Sequence, residues 1–216
     1  AALATLGDLP AEVTKQGFTS LLGYYMDGSL DAALRLDLVE AIAAADHQEL
    51  IAKLPTDPEA VDSYDDFQDC LEGGDAQRGR NIFIRNQAVQ CMKCHMVGQW
   101  GGDAGPPLTS VGADFDRQYL LRSLVDPSAK IAPGFGVITL TLQNGDVVSG
   151  ILAEETSEYI SVKESDGSIR NVATDEIEDR IDAVSSMPSV KHILSKRQIR
   201  DLLEFLNTLD GHRPPA

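Results

Sequence analysis

Positive charge, thiols and large aromatics are all scarce in this chain. Lys and Arg number 18 against 34 Asp and Glu, a formal net charge of −16. Such a surface repels phosphates, which argues against nucleic acid or an anionic membrane as a partner. No apolar run is long enough to span a bilayer. Three cysteines are too few for the disulfide framework of a small secreted domain. With only four histidines and one tryptophan besides, residues capable of unusual chemistry are few enough to examine singly. No signal peptide is visible, and the opening Ala-Ala-Leu-Ala-Thr-Leu-Gly reads as the tail of a helix, as expected of a piece of a longer protein.

What is present is concentrated in Cys91-Met92-Lys93-Cys94-His95. This C-x-x-C-H run is the pattern of covalent haem attachment. Two thiols three positions apart can form thioethers with the two vinyl groups of one porphyrin, and the adjacent imidazole can then ligate the iron. Half of a zinc site is the competing interpretation, but it needs a second ligand pair. The remaining Cys70, His47, His192 and His212 supply none. A thioredoxin-like redox pair is also disfavoured, because no βαβ pattern surrounds the run. Cys70 is then the odd thiol, expected as a buried small residue, with an intermolecular disulfide as the alternative. His47 and His212 are expected at the surface.

The flanking segments have their own signals. Asp75 to Asn86 reads as a short helix capped by Asp75, with Gly79 and Phe83 on one face. Ser195 to Leu209 repeats Ile199, Leu202, Leu203 and Leu206 at helical spacing, and Ser195 with Gln198 forms a capping box. Between them stand Gly105-Pro106-Pro107-Leu108 and Met187-Pro188. The order of short helix, C-x-x-C-H, G-P-x-L, Met-Pro and closing helix resembles class I cytochrome c. The resemblance implies that Gly79 and Phe83 meet Leu202 and Phe205 where the first and last helices cross. It also implies that His95 is the proximal ligand, that the Pro106 carbonyl accepts its other ring N–H, and that Met187 is the distal ligand. Met92 and Met96 lie too close to His95 to cross a haem plane, and Met26 lies in another segment; His192 is the runner-up to Met187. Arg117 and Arg122 are candidates for pairing with haem propionates, and Trp100 for packing on the ring edge.

Three further segments complete the organisation. Residues 1–56 read as Ala-rich helices with Leu spacing, beginning at Pro10, broken at Asp27-Gly28-Ser29 and capped again at Asp46. They resemble the end of a HEAT or armadillo array; a self-contained helical hairpin is the alternative. Residues 57–73 form an acidic connector without one Lys or Arg, which Tyr64 and Phe67 could dock. After Tyr119 to Pro127 and the turn Ile131-Ala132-Pro133-Gly134, residues 137–183 change to alternating strands. Asn144-Gly145 is the strongest hairpin signal among them. They suggest a small antiparallel barrel similar to SH3 or Sm modules. Removing it leaves 74–136 and 184–212, about ninety residues, the size of one small domain. The expected fold class is therefore mainly α: a class I cytochrome c fold preceded by a HEAT-like segment and interrupted by the barrel.

Taken together, these parts resemble the C-terminal haem-binding domain of large planctomycete-type multidomain dehydrogenases. That resemblance implies one covalent haem c and electrons delivered by an upstream dehydrogenase domain. The chain itself would be an electron-transfer module rather than an enzyme, exported to the periplasm, where haem attachment to C-x-x-C-H occurs in bacteria. A five-coordinate haem that binds gases or acts on peroxide is the first alternative; a redox-sensing scaffold is the second. Expected partners are redox proteins with basic surfaces, drawn by long-range charge attraction that salt weakens.

Overall fold

The computed structural model describes residues 3, 8–9, 11–54, 63–132 and 134–212. The helix start at Pro10, connector residues Asp57, Glu59 and Asp62, Pro133 and the tail after His212 lie outside them.

Helices α1 (Ala11–Met26), α2 (Ala32–Ala44) and α3 (Gln48–Ile51) come first. Asp27 accepts the Ser29 N–H in the turn between α1 and α2, and Asp31 caps α2 through the Ala33 N–H. Phe18, Leu22, Leu38, Ile42 and Leu50 give these helices a core of their own. Contrary to expectation, His47 is buried within it. Its Nε2 lies 2.8 Å from the Thr14 hydroxyl and its ring meets Phe18 edge-on. The left-handed Asp46, at φ 54°, redirects the chain at this point. His212 is exposed.

The described part of the acidic connector is a 3-10 turn, Tyr64–Cys70, docked onto the protein rather than free in solvent. Phe67 and Cys70 are buried, and Asp66 accepts from Lys196 Nζ at 2.9 Å. The Tyr25 hydroxyl donates to Asp69.

A helical body follows: α4 (Ala76–Arg85), α5 (Val111–Asp114), α6 (Arg117–Val125) and α7 (Lys196–Asn207). Asp75 caps α4, Asp116 caps α6, and Ser195 with Gln198 forms the capping box of α7. Helices α4 and α7 cross at Gly79. A Cβ there would collide with the Asp201 carbonyl oxygen, so only glycine permits so close an approach. Beside it the Phe83 and Phe205 rings pack with centroids 5.5 Å apart. Buried Asp201 accepts from Arg78 Nε at 2.6 Å and from the Asp75 N–H at 2.8 Å, which ties the start of α4 to α7. Arg197 and Arg200 of α7 pair with Asp37 of α2, and Arg197 also with Glu40, while Leu36 enters the body's core.

Strands β1 (Gly136–Leu142), β2 (Val147–Glu155), β3 (Tyr159–Lys163), β4 (Ile169–Ala173) and β5 (Ile177–Ser185) form one antiparallel sheet in the order β4-β3-β2-β1-β5. Asn144 and Gly145 make the β1–β2 turn, with Gly145 at φ 87°. Ile138, Leu140, Val148, Ile160, Val162 and Val172 project from one face into a single core.

This sheet overturns the expected fold class. With about 42% helix and 19% strand, the chain is an α+β mixture and not a mainly α cytochrome c fold. The strand content is larger than expected because β5 is a nine-residue strand paired along β1. The ladder is also open, with β4 and β5 at opposite edges instead of closing a barrel. Gly136 pairs with Ser185, so the chain leaves the helical body and returns to it at one place. Among the described residues no helix is long and apolar enough to cross a membrane.

Candidate functional site

At that junction lies a cleft bounded by α4, α6, α7, the segment 89–108 and the two ends of the sheet. Its cavity volume is ≈ 260 Å³, just under the range of about 300–1,000 Å³ of ordinary ligand pockets, and it opens to solvent at its mouth. Phe83, Leu120, Leu124, Leu202 and Leu206 make the walls apolar.

Cys91, Cys94, His95, Pro106 and Met187 all line this cleft. The first three are placed by a 3-10 turn, Cys91–Lys93, entered through left-handed Gln90. The Cys91 carbonyl accepts from the N–H groups of Cys94 and His95, at 3.2 and 3.0 Å, and this tight turn directs both cysteines and the imidazole to one cavity. The glycine-rich loop then folds back over the turn. Gly102 N–H donates to the Met92 carbonyl and Gly105 N–H to that of Cys94. A Cβ on Gly105 would lie 2.8 Å from His95 Cε1, so glycine there lets the backbone lie flat against the ring. His95 is buried, with Nδ1 2.9 Å from the Pro106 carbonyl oxygen. Since only an N–H can donate to a carbonyl, that contact puts the proton on Nδ1 and leaves Nε2 with its lone pair.

Burial pushes the Cys91 thiol up to about 11, so it is protonated at neutral pH. Cys70 is pushed up to about 12 by burial and donates its S–H to the Lys196 carbonyl; it lies outside the cleft lining, as an inert core residue. All three cysteines are free thiols.

Met187 is held from two sides. Its own N–H donates to the Ser185 hydroxyl, and the Ser185 N–H donates to that of Ser128. Beyond it, the Ser189 hydroxyl donates to the Val125 carbonyl and the Val190 N–H to that of Leu124. The segment carrying the thioether is therefore fastened to the end of α6.

The other sequence candidates are not brought to the cleft. Arg117 donates to Glu204 and to the Leu71 carbonyl, joining α6 and α7 to the acidic connector. Arg122 lies over the Tyr64 ring, and Trp100 is 75% exposed in a two-residue bridge with Val97. His192 is exposed and absent from the lining. Residues not singled out from sequence fill those places. Lys130 is the one Lys or Arg among the described lining residues, and its Nζ sits 5.2 Å from the Tyr119 ring centroid. Tyr119 in turn stacks on Phe115 at 4.2 Å. The only sequence signal for Lys130 is its place just before Ile131-Ala132-Pro133-Gly134.

Among the described residues, no three His, Cys, Asp or Glu side chains gather to hold a metal ion, so Cys91 and Cys94 lack the partners of a zinc site. A tetrapyrrole asks for different things: two adjacent thiols, an imidazole with one free nitrogen, a second soft ligand and apolar walls. The cleft contains all four. No protein-family model matches the chain, and no curated protein matches it.

Proposed function

We propose that this chain is a c-type haem module that transfers single electrons. One observation carries the proposal: two thiols, an imidazole held at Nδ1 and a tethered thioether line one apolar cleft. Cys91 and Cys94 would hold the macrocycle through thioethers, and His95 and Met187 would hold the iron. When bound, the group supplies one-electron exchange between ferric and ferrous iron. The chain's residues set the terms of that exchange. The Pro106 carbonyl fixes the His95 tautomer and increases its basicity as a ligand. A neutral, soft Met187 favours the ferrous state and raises the potential. The apolar walls would exclude water, and Lys130, in the lining, would be available to pair with a carboxylate on the ligand. Since His95 and Met187 would both hold the iron, no place would be left on it for a substrate, and the fastening of 185–190 to α6 supports this over an open iron.

On this reading the module works in the periplasm, where such haems are attached in bacteria, and takes electrons from an upstream dehydrogenase domain. The experiment is intact mass and optical spectroscopy of protein exported alongside haem-attachment machinery. One haem per chain is expected, with a far-red sulfur-to-iron band in the oxidised form and a reduced spectrum indifferent to carbon monoxide. A chain weighing only its amino acids refutes the proposal, and carbon monoxide binding to the parent protein refutes Met187 as a fixed ligand.

A further inference from the structure

The sheet has a second face that its own core does not use. On this face Val184, Val137, Ile151, Lys163 and Ile169 are neighbours across all five strands, and Ile181 stands beside Val137 opposite Thr139. At the β1–β5 end Val137, Val184 and Ile181 are 45–59% exposed and adjacent, an apolar patch rather than scattered single residues. This end adjoins the cleft: Phe135, two residues before Val137, and Ser185, next to Val184, both line the cavity.

The charge around this patch is predominantly negative. Residues 136–185 contain eleven Asp and Glu, but of the basic residues only Lys163, Arg170 and Arg180. Arg180 is paired with Glu155 and Asp182, and Arg170 lies 3.9 Å from Asp146. Asp179, opposite Thr141 and exposed on the same face, extends the acidic margin. Like charge opposes a second copy of this chain, or an anionic lipid surface, at this place. A cationic partner is attracted instead.

We propose that the outer face of the sheet, at its β1–β5 end, docks a soluble redox protein that presents an apolar patch ringed by Lys and Arg. The inference rests on the electron-transfer reading and gives it a partner class and a surface. Apolar contact at Val137 and Val184 sets the close approach beside the cleft, and the surrounding carboxylates steer the encounter.

The test uses the haem-bearing protein, a lysine-rich cytochrome c as macromolecular acceptor and ferricyanide as a small one that needs no docking. Stopped-flow oxidation by the cytochrome should slow about ten-fold in the Val137→Ser, Val184→Ser double variant, as expected for loss of interface anchors. Asp179→Lys should slow it less and reduce its salt dependence, while Val13→Ser on α1 should leave it unchanged. Ferricyanide rates should be the same in the parent, the double variant and the Val13→Ser variant. Equal cytochrome rates in parent and double variant, or a parent rate indifferent to salt, overturn the docking surface while leaving the haem assignment intact. A preparation that carries no haem overturns the functional reading, and this inference with it.

Discussion

In the sheet, Ile138, Leu140, Val148 and Val162 are fully buried and spend their apolar surface on one another. In the helical body, Leu120, Leu124, Leu202 and Leu206 are just as aliphatic and nearly as buried, yet they also face the cleft. The two regions have the same kind of side chains and differ in completeness. Close packing is the normal state of an interior, and atoms beside a void lose dispersion contacts. These leucines pack on one side and face the cleft on the other, whereas the sheet's core closes on itself. The chemistry is divided the same way: Cys91, Cys94, His95 and Met187 line the cleft, whereas the buried polar side chain of the sheet, Ser161, donates to Asn171 on the next strand.

The contrast can be broken most severely at the thiols. Replacing Cys91 and Cys94 together by Ser should abolish covalent haem altogether, read by intact mass. The helical body should then melt at a lower temperature, because ligand binding to the native state no longer stabilises it. Amide hydrogen exchange in β1, β2 and β3 should stay as slow as in the parent. Equal loss of protection in sheet and body would show one cooperative unit and end the distinction.

Met187→Ala should have the next largest effect, confined to the cleft. Haem should remain attached, the far-red band should disappear, carbon monoxide should bind, and the potential should fall in a spectroelectrochemical titration. A spectrum unchanged from the parent would assign the sixth ligand elsewhere.

Two glycines sharpen the comparison at lower cost. A Cβ on Gly79 collides with the Asp201 carbonyl oxygen, and one on Gly150 with that of Lys163 across the β2–β3 ladder. Each Gly→Ala change should destabilise its own region by about 1–3 kcal/mol, the range of overpacking in a tight interior. Calorimetry with haem quantitation separates them: Gly79→Ala should reduce haem retention, and Gly150→Ala should not.

Local signals were the most legible from sequence. Ser195 and Gln198 form their capping box, Asp75 caps its helix, Asn144-Gly145 turns a hairpin, and Tyr159–Lys163 is a strand as expected. Each depends on neighbours along the chain, where residue type and backbone preference act directly. Strand β5 was only partly visible, because Ile177–Ser185 lies at an edge with most side chains in water and lacks a regular apolar alternation. With it was missed the α+β character of the whole. His47 was expected at the surface, but a hydroxyl 33 residues away accommodates it inside. Arg117 and Arg122 had the right charge for an anionic ligand. Their positions on α6 were set instead by Glu204 and Tyr64 from distant segments, and Lys130 came to the cleft in their place.

The amino-acid order by itself determined that two thiols and an imidazole stand together, since three residues of tight turn suffice to gather Cys91, Cys94 and His95. It also determined the excess of negative charge, which no folding can alter. Which other side chains reach those three was decided only in three dimensions. Met187 stands 92 positions beyond His95 and is brought to the cleft because β1 and β5 pair at Gly136 and Ser185, returning the chain to the point it left. The reason is one of range: capping and turn geometry act over a few bonds, whereas the meeting of remote residues depends on how whole elements bury their apolar faces, and that is a property of the packed molecule.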